Sequence, residues 1–495
     1  MAEAEGPAEA AGDGPPPMAA EDKGGMRAVP TLPELYRTAL RRGAPLRVVD
    51  LQVRGNARTK DYVIERELLP ALEAENLEDL MAALIQASRG LEELEVFEDA
   101  DIEAMEAPRG GAPGAADGVA VVVDVQEKSP FSLNVGTYVQ GQEGSVEGRG
   151  TVRNFFGHAE ALEVEGVVGA STFSTFTLKA SQPRPFHSDW GASASLFNHN
   201  QNNEKASSHT EILRGLNLSA ADASGRHTVG MDMSWREITL KRDSLASDAI
   251  RRIAGHELKP SLKYSFFDDL LLPNGNGTAT GLAWRASTEV AGIGLNPHLS
   301  SFVKQEVDVR WSHPLSHALE GLTLNFGLKA GVMLPWPRRG WGAGRASSSV
   351  SDRFYLGGAG NLRGFSAKGV GPTDARRGKG APGRDALGGD MSYAAFGSLS
   401  FRLPVPQPLA PLNLHGHVWA NQGNCGALPA AGSVRGDLAR FYDGSRLSAG
   451  VGVYLATAIG RAEVNWCHVL KREPHDRCVA KRGLQFGLTP ALGAF

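Results

Sequence analysis

The stretch FSLNVGTYVQ, residues 131–140, begins a pattern that continues to the end of the chain. Phe131, Leu133 and Val135 occupy alternate positions, and the residues between them are small or polar. A period of two residues is typical of a β-strand with one apolar and one polar face. The same alternation recurs downstream, for example in residues 162–168, and glycine- and asparagine-rich turn signals separate the segments.

The strand-rich region, residues 129–495, is too long for one soluble β-sandwich and lacks the repeated motif of a propeller. About 16 antiparallel strands would give each strand and its connection about 23 residues, which suits a membrane barrel with short turns at one end and long loops at the other. The chain has no apolar run of about 18 residues, so no membrane-spanning helix is expected. The predicted fold class is therefore an all-β transmembrane barrel.

Composition narrows the classes of function. The 495 residues include 60 glycines and carry a formal net charge of −4, so no basic field favours a nucleic-acid partner. The three cysteines, Cys425, Cys467 and Cys478, form no CxxC pair, which argues against a disulfide framework or a cysteine zinc site. We expect no metal and no cofactor.

Motifs of enzyme active sites are weak in this sequence. A GxGxxG pattern at Gly378, Gly380 and Gly383 contains Pro382 and precedes no predicted helix, which favours a loop over a dinucleotide site. His256 and the residue after it lack the second histidine of a metalloprotease motif. We expect that the protein is not an enzyme.

The region before the barrel divides into two parts. Residues 1–44 are rich in acidic residues, Ala, Gly and Pro, and they lack the patterns of a secretory signal or an organelle presequence, so we expect a disordered acidic tail. Residues 45–128 predict a small α+β unit in the order β-α-α-β-β. Thr59 is expected to cap the first helix and Pro70 to end it, and Gly90 is expected to end the second helix.

The run DRFYLGGAGNLRGF, residues 352–365, joins an aromatic strand end to a glycine turn and then presents an Arg-Gly-Phe sequence. It resembles the sixth-loop motif of the outer-membrane barrel-assembly superfamily, to which the bacterial BAM barrel protein and its mitochondrial and plastid relatives belong. The β-α-α-β-β unit resembles a single POTRA domain. Residues 55–61, 387–390 and 416–424 are similar to the core barrel subunit of the mitochondrial sorting and assembly machinery (SAM), and residues 481–488 fit the mitochondrial β-signal.

This resemblance implies an insertase that folds and inserts β-barrel precursors through a lateral seam between its first and last strands. An unpaired strand edge in lipid is unfavourable, so an open seam would act as a template for the strand of a precursor. The residues expected at the seam are apolar residues or glycine on the two strands: Phe131, Leu133, Val135, Gly483, Phe486 and Leu488. Gly483 is expected to weaken the seam because it adds no side-chain packing.

The resemblance also implies that the loop residues Leu362, Arg363, Gly364 and Phe365 fold back into the barrel lumen. The acidic positions that receive this arginine in bacterial relatives correspond here to two uncharged residues. This departure weakens the case for a buried ion pair, and we expect hydrogen bonds from the Arg363 guanidinium to Asn421 or to main-chain carbonyls, with Asp390 as the second choice. The candidate side-chain partners are Asp390, Ser400 and Asn421.

The implied partners are β-barrel precursor proteins, peripheral SAM-type subunits and outer-membrane lipid. The implied location is the mitochondrial outer membrane. Two alternatives remain open from the sequence: a plastid outer-envelope barrel that translocates preproteins, and a passive pore with a soluble cap.

Overall fold

The computed structural model describes most of the chain after residue 45. The described residues are 46–106, 117–140, 143–169, 173–241, 245–274, 278–292, 301–315, 322–335, 348–377, 383–406, 414–428, 434–457, 460–479 and 483–490. The expected acidic tail, residues 1–44, lies outside them, and so does most of the GxGxxG pattern. The chain divides into two compact units, which meet in the sequence at Lys128 and Ser129.

The first unit is a three-stranded sheet with helices between its first and second strands in sequence. Its elements are β1 (Leu46–Arg54), α1 (Asp61–Glu65), a 3₁₀ turn (Arg66–Leu68), α2 (Leu69–Leu72), α3 (Leu77–Glu93), β2 (Phe97–Glu106) and β3 (Asp117–Glu127). Strand β3 is central, parallel to β1 and antiparallel to β2. Apolar residues at helical spacing, including Leu80 and Leu84, are buried on one face of α3.

Three expectations for the helices of this unit are wrong: two helix ends and one cap. Pro70 lies in the first turn of α2, where a missing N–H breaks no helical hydrogen bond, so the helical region continues to Leu72. Helix α3 continues through the buried Gly90 to Glu93, because packing outweighs the low helix propensity of glycine. Thr59 is not the cap of α1, because the N-cap is Lys60 without a side-chain capping hydrogen bond, and the Thr59 hydroxyl donates to Glu127 at 2.7 Å.

The second unit is a closed antiparallel barrel of sixteen long strands, with the short β12 paired beside β13. The strands of the second unit are β4 (Phe131–Gln140), β5 (Glu143–Arg153), β6 (Ala161–Gly169), β7 (Phe173–Gln182), β8 (Trp190–Asn202), β9 (Thr210–Asp222), β10 (His227–Thr239), β11 (Gly255–Asp269), β12 (Leu272–Asn274), β13 (Thr278–Ala291), β14 (Phe302–Pro314), β15 (Thr323–Pro335), β16 (Thr373–Ala375), β17 (Arg384–Ala386), β18 (Met391–Arg402), β19 (Leu414–Gly426), β20 (Arg446–Thr457), β21 (Gly460–Lys471) and β22 (Leu484–Pro490).

Strands β16 and β17 form a separate two-stranded sheet within the long connection from β15 to β18. The described part of the barrel region also contains three α-helices that the sequence did not predict: α4 (Glu204–Ser207), α5 (Asp248–Ile253) and α6 (Val434–Asp443). No helix within the described ranges is long and apolar enough to cross a membrane.

The two faces of the barrel wall differ as the alternation predicts. In β21, Val464 and Trp466 are 40% and 60% exposed on the outer face, whereas Glu463 and Asn465 are buried on the lumen side. In β22, Phe486 is 60% exposed, and its neighbour Gln485 is buried. An apolar exterior around a polar interior is the arrangement of a transmembrane barrel.

Strands β22 and β4 are neighbours and close the barrel. The described part of β22 has seven residues, Leu484–Pro490.

Candidate functional site

The loop that carries the Arg-Gly-Phe sequence is packed into the barrel lumen. We call residues 352–366 the lumen loop. Leu362 and Phe365 are fully buried, in one apolar cluster with Cys425 on the inner face of the wall. Gly423 of β19 leaves room for this packing, because a Cβ there would lie 3.2 Å from the Leu362 side chain.

The Arg363 guanidinium makes a bidentate ion pair with the carboxylate of Glu463 in β21. Nε donates to Oε1 and Nη2 to Oε2, each at 2.9 Å, and the Glu463 side chain is 0% exposed. A second cation on the same strand, Arg461, lies 3.2 Å from the same carboxylate. Two parallel charge-assisted hydrogen bonds fix both the position and the orientation of Arg363.

Two aromatic rings flank the guanidinium. Its central carbon lies 5.6 Å from the Trp419 ring and 5.9 Å from the Phe396 ring. At these distances, the rings add a cation–π attraction to the ion pair. Trp419 lies within the stretch 416–424 that resembles the SAM barrel subunit.

The expected guanidinium partner of Arg363, Asn421 or a main-chain carbonyl, is wrong, because the structure pairs the guanidinium with the Glu463 carboxylate. Asn421 does contact Arg363, but through the main chain: its amide oxygen accepts from the Arg363 N–H at 2.7 Å. Ser400 instead accepts from Asn325 at 2.9 Å, and Asp390 accepts from Ser348. A carboxylate on β21 is a stronger partner for a guanidinium than a neutral amide, and the barrel register brings Glu463 to it.

The last strand holds the lumen loop directly. The Gln485 side-chain oxygen accepts from the Gly364 N–H at 2.9 Å, and its NH₂ group donates to the Phe365 carbonyl at 3.1 Å. Two residues further along β22, a Cβ at Gly487 would lie 2.4 Å from the Ala359 Cβ, so the loop approaches closely there. The loop therefore contacts the strand that closes the barrel.

The residues expected at the seam lie on β4 and β22 or next to β22. Phe131, Leu133 and Val135 are 67%, 78% and 72% exposed on β4. Phe486 is exposed on the outer face of β22, and Leu488 lies opposite Ala462 of β21 in the register.

Gly483 meets a conformational requirement, and its expected effect on the seam stays a prediction. It precedes β22, and its carbonyl accepts from the Cys467 N–H of β21 at 2.7 Å. Its φ is +68°, and a Cβ there would lie 2.4 Å from the Cys467 carbonyl oxygen. Glycine is therefore required at this position beside β21, just before β22 begins.

Sequence reasoning missed Glu463 and Gln485. A usable signal existed for Glu463, because the segment 461–466 alternates polar and apolar residues and places it on the polar face. Gln485 occupies an undefined position of the β-signal, so the motif gave no reason to select it. Within the described ranges, no three His, Cys, Asp or Glu side chains are grouped to hold a metal ion.

Comparison with known proteins agrees with this geometry. Residues 154–490 match the Omp85 superfamily domain. The chain is 28% identical over 458 residues to a SAM50-like protein of Schizosaccharomyces pombe, with 90% of each chain covered. It is also 28% identical over 447 residues to the mouse sorting and assembly machinery component 50 homolog, with coverage of 88% of this chain and 87% of the mouse protein.

Among solved structures, the barrel-assembly protein BamA from Haemophilus ducreyi, crystallised without POTRA domains 1–3, matches with a TM-score of 0.70 at 16% identity. The match covers 90% of this chain and 84% of that chain, which shows a common fold. The family resemblance inferred from residues 352–365 is confirmed, and because the domain match spans more than half of the chain, this protein belongs to the Omp85 superfamily.

Proposed function

We propose that this protein folds and inserts β-barrel precursors into the mitochondrial outer membrane through a lateral seam between β4 and β22. The observation that carries the proposal is the position of the lumen loop, which binds β21 through Arg363 and β22 through Gln485. A loop held on the last two strands can control the join that these strands make with β4.

The physical basis is the cost of an unpaired strand edge in lipid. Each main-chain group without a partner there costs several kcal/mol, so an open join strongly favours pairing with another strand. An incoming precursor strand would complete the ladder by β-augmentation and allow the next hairpin to form on that edge.

The family relationship supports our proposals for the partners and location of this activity. The Schizosaccharomyces pombe relative is named a SAM50-like protein, and the mouse relative is named a homolog of sorting and assembly machinery component 50. We propose barrel precursors, peripheral subunits and outer-membrane lipid as partners. We also propose that residues 45–128 act as a POTRA domain for residues 129–495, the membrane barrel.

A site-specific crosslink tests whether precursors meet the seam. A photoreactive residue at Phe486 in β22 should capture an arrested barrel precursor in isolated membranes. The matched control is Trp466 of β21, which is also 60% exposed on the outer face. Equal capture at both positions, or capture at neither, would contradict insertion at this join.

Locking the join tests whether it must open. Cysteines at Leu133 and Phe486 can be joined by a bifunctional, reducible maleimide in a background where Cys478 is serine. Insertion should stop and return on reduction. The control crosslink joins Val451 to Trp466, which face each other on β20 and β21. A passive pore would keep its conductance, and normal insertion through a locked join would refute the proposal.

A further inference from the structure

A second buried ion cluster holds the lumen loop at its other end. Asp352 begins the loop, and its carboxylate accepts from Nη2 and Nη1 of Arg236 in β10 at 2.8 and 3.0 Å. Lys259 in β11 also reaches it, with Nζ at 3.1 Å. The side chains of Asp352 and Arg236 are 2% and 4% exposed, so the contact is shielded from water.

The two ends of the loop are attached to opposite walls of the barrel. Asp352 binds β10 and β11, whereas Arg363, eleven residues later, binds β21. In the closed order of the sixteen long strands, seven strands separate β10 from β21 in either direction. The segment from Asp352 to Arg363 therefore crosses the lumen from wall to wall.

We propose that Asp352 is a positioning residue for precursor insertion. Its ion pairs with Arg236 and Lys259 hold the beginning of the lumen loop against β10 and β11. The loop then crosses the lumen, so that Arg363 reaches β21 and the main chain after it reaches Gln485 of β22. This inference rests on the proposed function, since it assigns Asp352 a role in controlling the same seam.

The charges on the wall confine the effect of Asp352 to the loop. Arg236 also binds Glu211 at 2.9 Å and Glu257 at 3.1 Å, and Lys259 binds Glu289 at 2.7 Å. Each of these cations therefore keeps a counter-charge on the wall when Asp352 is neutralised. Removing the Asp352 carboxylate therefore weakens the attachment of the lumen loop to β10 and β11 without leaving a buried cation unpaired.

The experiment measures loop position and insertion separately in the full-length protein. In Asp352→Asn, hydrogen–deuterium exchange of residues 357–366 should rise roughly tenfold, and the initial rate of precursor insertion should fall roughly fivefold. Asp352→Glu keeps the negative charge, so both its loop exchange and its initial insertion rate should lie close to the wild-type values. The control Glu165→Gln removes an ion pair of 3.4 Å with Arg149 on the neighbouring strand and should change neither.

A double variant separates positioning from general stability. If Asp352 acts through the placement of Arg363, Asp352→Asn combined with Arg363→Ala should insert no more slowly than Arg363→Ala alone. A multiplied defect would overturn the positioning role. If Asp352→Asn fails to fold, Lys259→Gln is the milder variant. It should also raise the loop exchange and lower the insertion rate, each by a smaller factor.

The failure of this inference can be told apart from the failure of the proposed function. If folded Asp352→Asn shows unchanged hydrogen–deuterium exchange of residues 357–366, then Asp352 does not hold the lumen loop in place. Increased exchange with normal insertion in both Asp352→Asn and Arg363→Ala would instead overturn the role of the lumen loop in insertion.

Discussion

Arg363 and Glu463 are 100 residues apart in the sequence, yet two hydrogen bonds of 2.9 Å join their side chains inside the barrel. The pair ties a lumen loop to β21, the strand that pairs with β22. Because the Glu463 carboxylate also lies 3.2 Å from Arg461, it balances two cations at once. Loss of the negative charge on this carboxylate would therefore disturb both the lumen loop and β21, the strand next to β22.

We expect Glu463→Gln to destabilise the barrel and slow insertion. The amide cannot balance two buried cations, and breaking a buried ion pair from one side typically costs about 3 kcal/mol or more. Denaturant unfolding in detergent micelles measures the loss. The control is Glu147→Gln, whose pair with Arg149 is partly exposed and should contribute less than about 1 kcal/mol. Wild-type stability of Glu463→Gln would show that the ion pair does not anchor the loop.

We expect Gln485→Leu to loosen the lumen loop while leaving the barrel closed. The change removes the acceptor for the Gly364 N–H and one of the donors to the Phe365 carbonyl, which keeps the Gly358 N–H at 3.1 Å. A buried N–H that loses its acceptor costs about 1–3 kcal/mol. Hydrogen–deuterium exchange of the Gly364 amide should accelerate. Leu484→Ala, on the outer face of the same strand, is the matched control. Equal acceleration in both variants would mean that the whole strand is loosened.

The regular part of this protein could be predicted from local patterns. Period-two alternation identified strands such as residues 131–140, and chain length gave their approximate number. The boundary at Pro70 was wrong because a new helical turn begins there, and proline is tolerated in a first turn. The boundary at Gly90 was wrong because packing outweighed the low helix propensity of glycine, and a local rule does not include what a helix packs against.

The partner of Arg363 could not be predicted in the same way. Alternation placed Glu463 on the polar face of its strand, but the choice among many lumen-facing residues depends on strand register and on how the loop enters the barrel. A one-residue change of register would turn Glu463 outward. The motif identified the arginine, and only the assembled barrel identified its carboxylate.

We expect Gly364→Ala to disturb the loop through backbone strain. Gly364 has a φ of +87°, and the added methyl would lie 3.2 Å from Val469 Cγ2. A left-handed conformation costs a residue with a side chain about 1–3 kcal/mol, so insertion should slow and loop exchange should rise. Gly360→Ala is the control in the same loop, because no atom lies within 4 Å of its added methyl. Equal effects of the two substitutions would rule out this explanation.

The first unit should lose stability in acid through Glu127. This carboxylate accepts from the Thr59 hydroxyl and N–H, each at 2.7 Å, and from the Arg58 N–H and Nε, each at 2.9 Å. Burial alone would raise the pKa of Glu127, but the hydrogen bonds from Thr59 and Arg58 outweigh it and hold the pKa below the ordinary glutamate value. The folded state therefore binds this proton more weakly than the unfolded state.

The sign of the pH dependence follows from that lowered pKa. The stability that Glu127 contributes is fully present above the ordinary glutamate pKa of about 4.3 and is lost as the pH falls through the lower folded value. At pH 7, Glu127→Gln should lose about 2 kcal/mol, seen as faster hydrogen–deuterium exchange of residues 56–61 than in wild type. The difference should shrink when both proteins are compared at about pH 3.

The exposed Asp124→Asn on the same strand should exchange like wild type at pH 7. A difference between wild type and Glu127→Gln that stayed the same at both pH values would mean that Glu127 acts through packing and not through its charge.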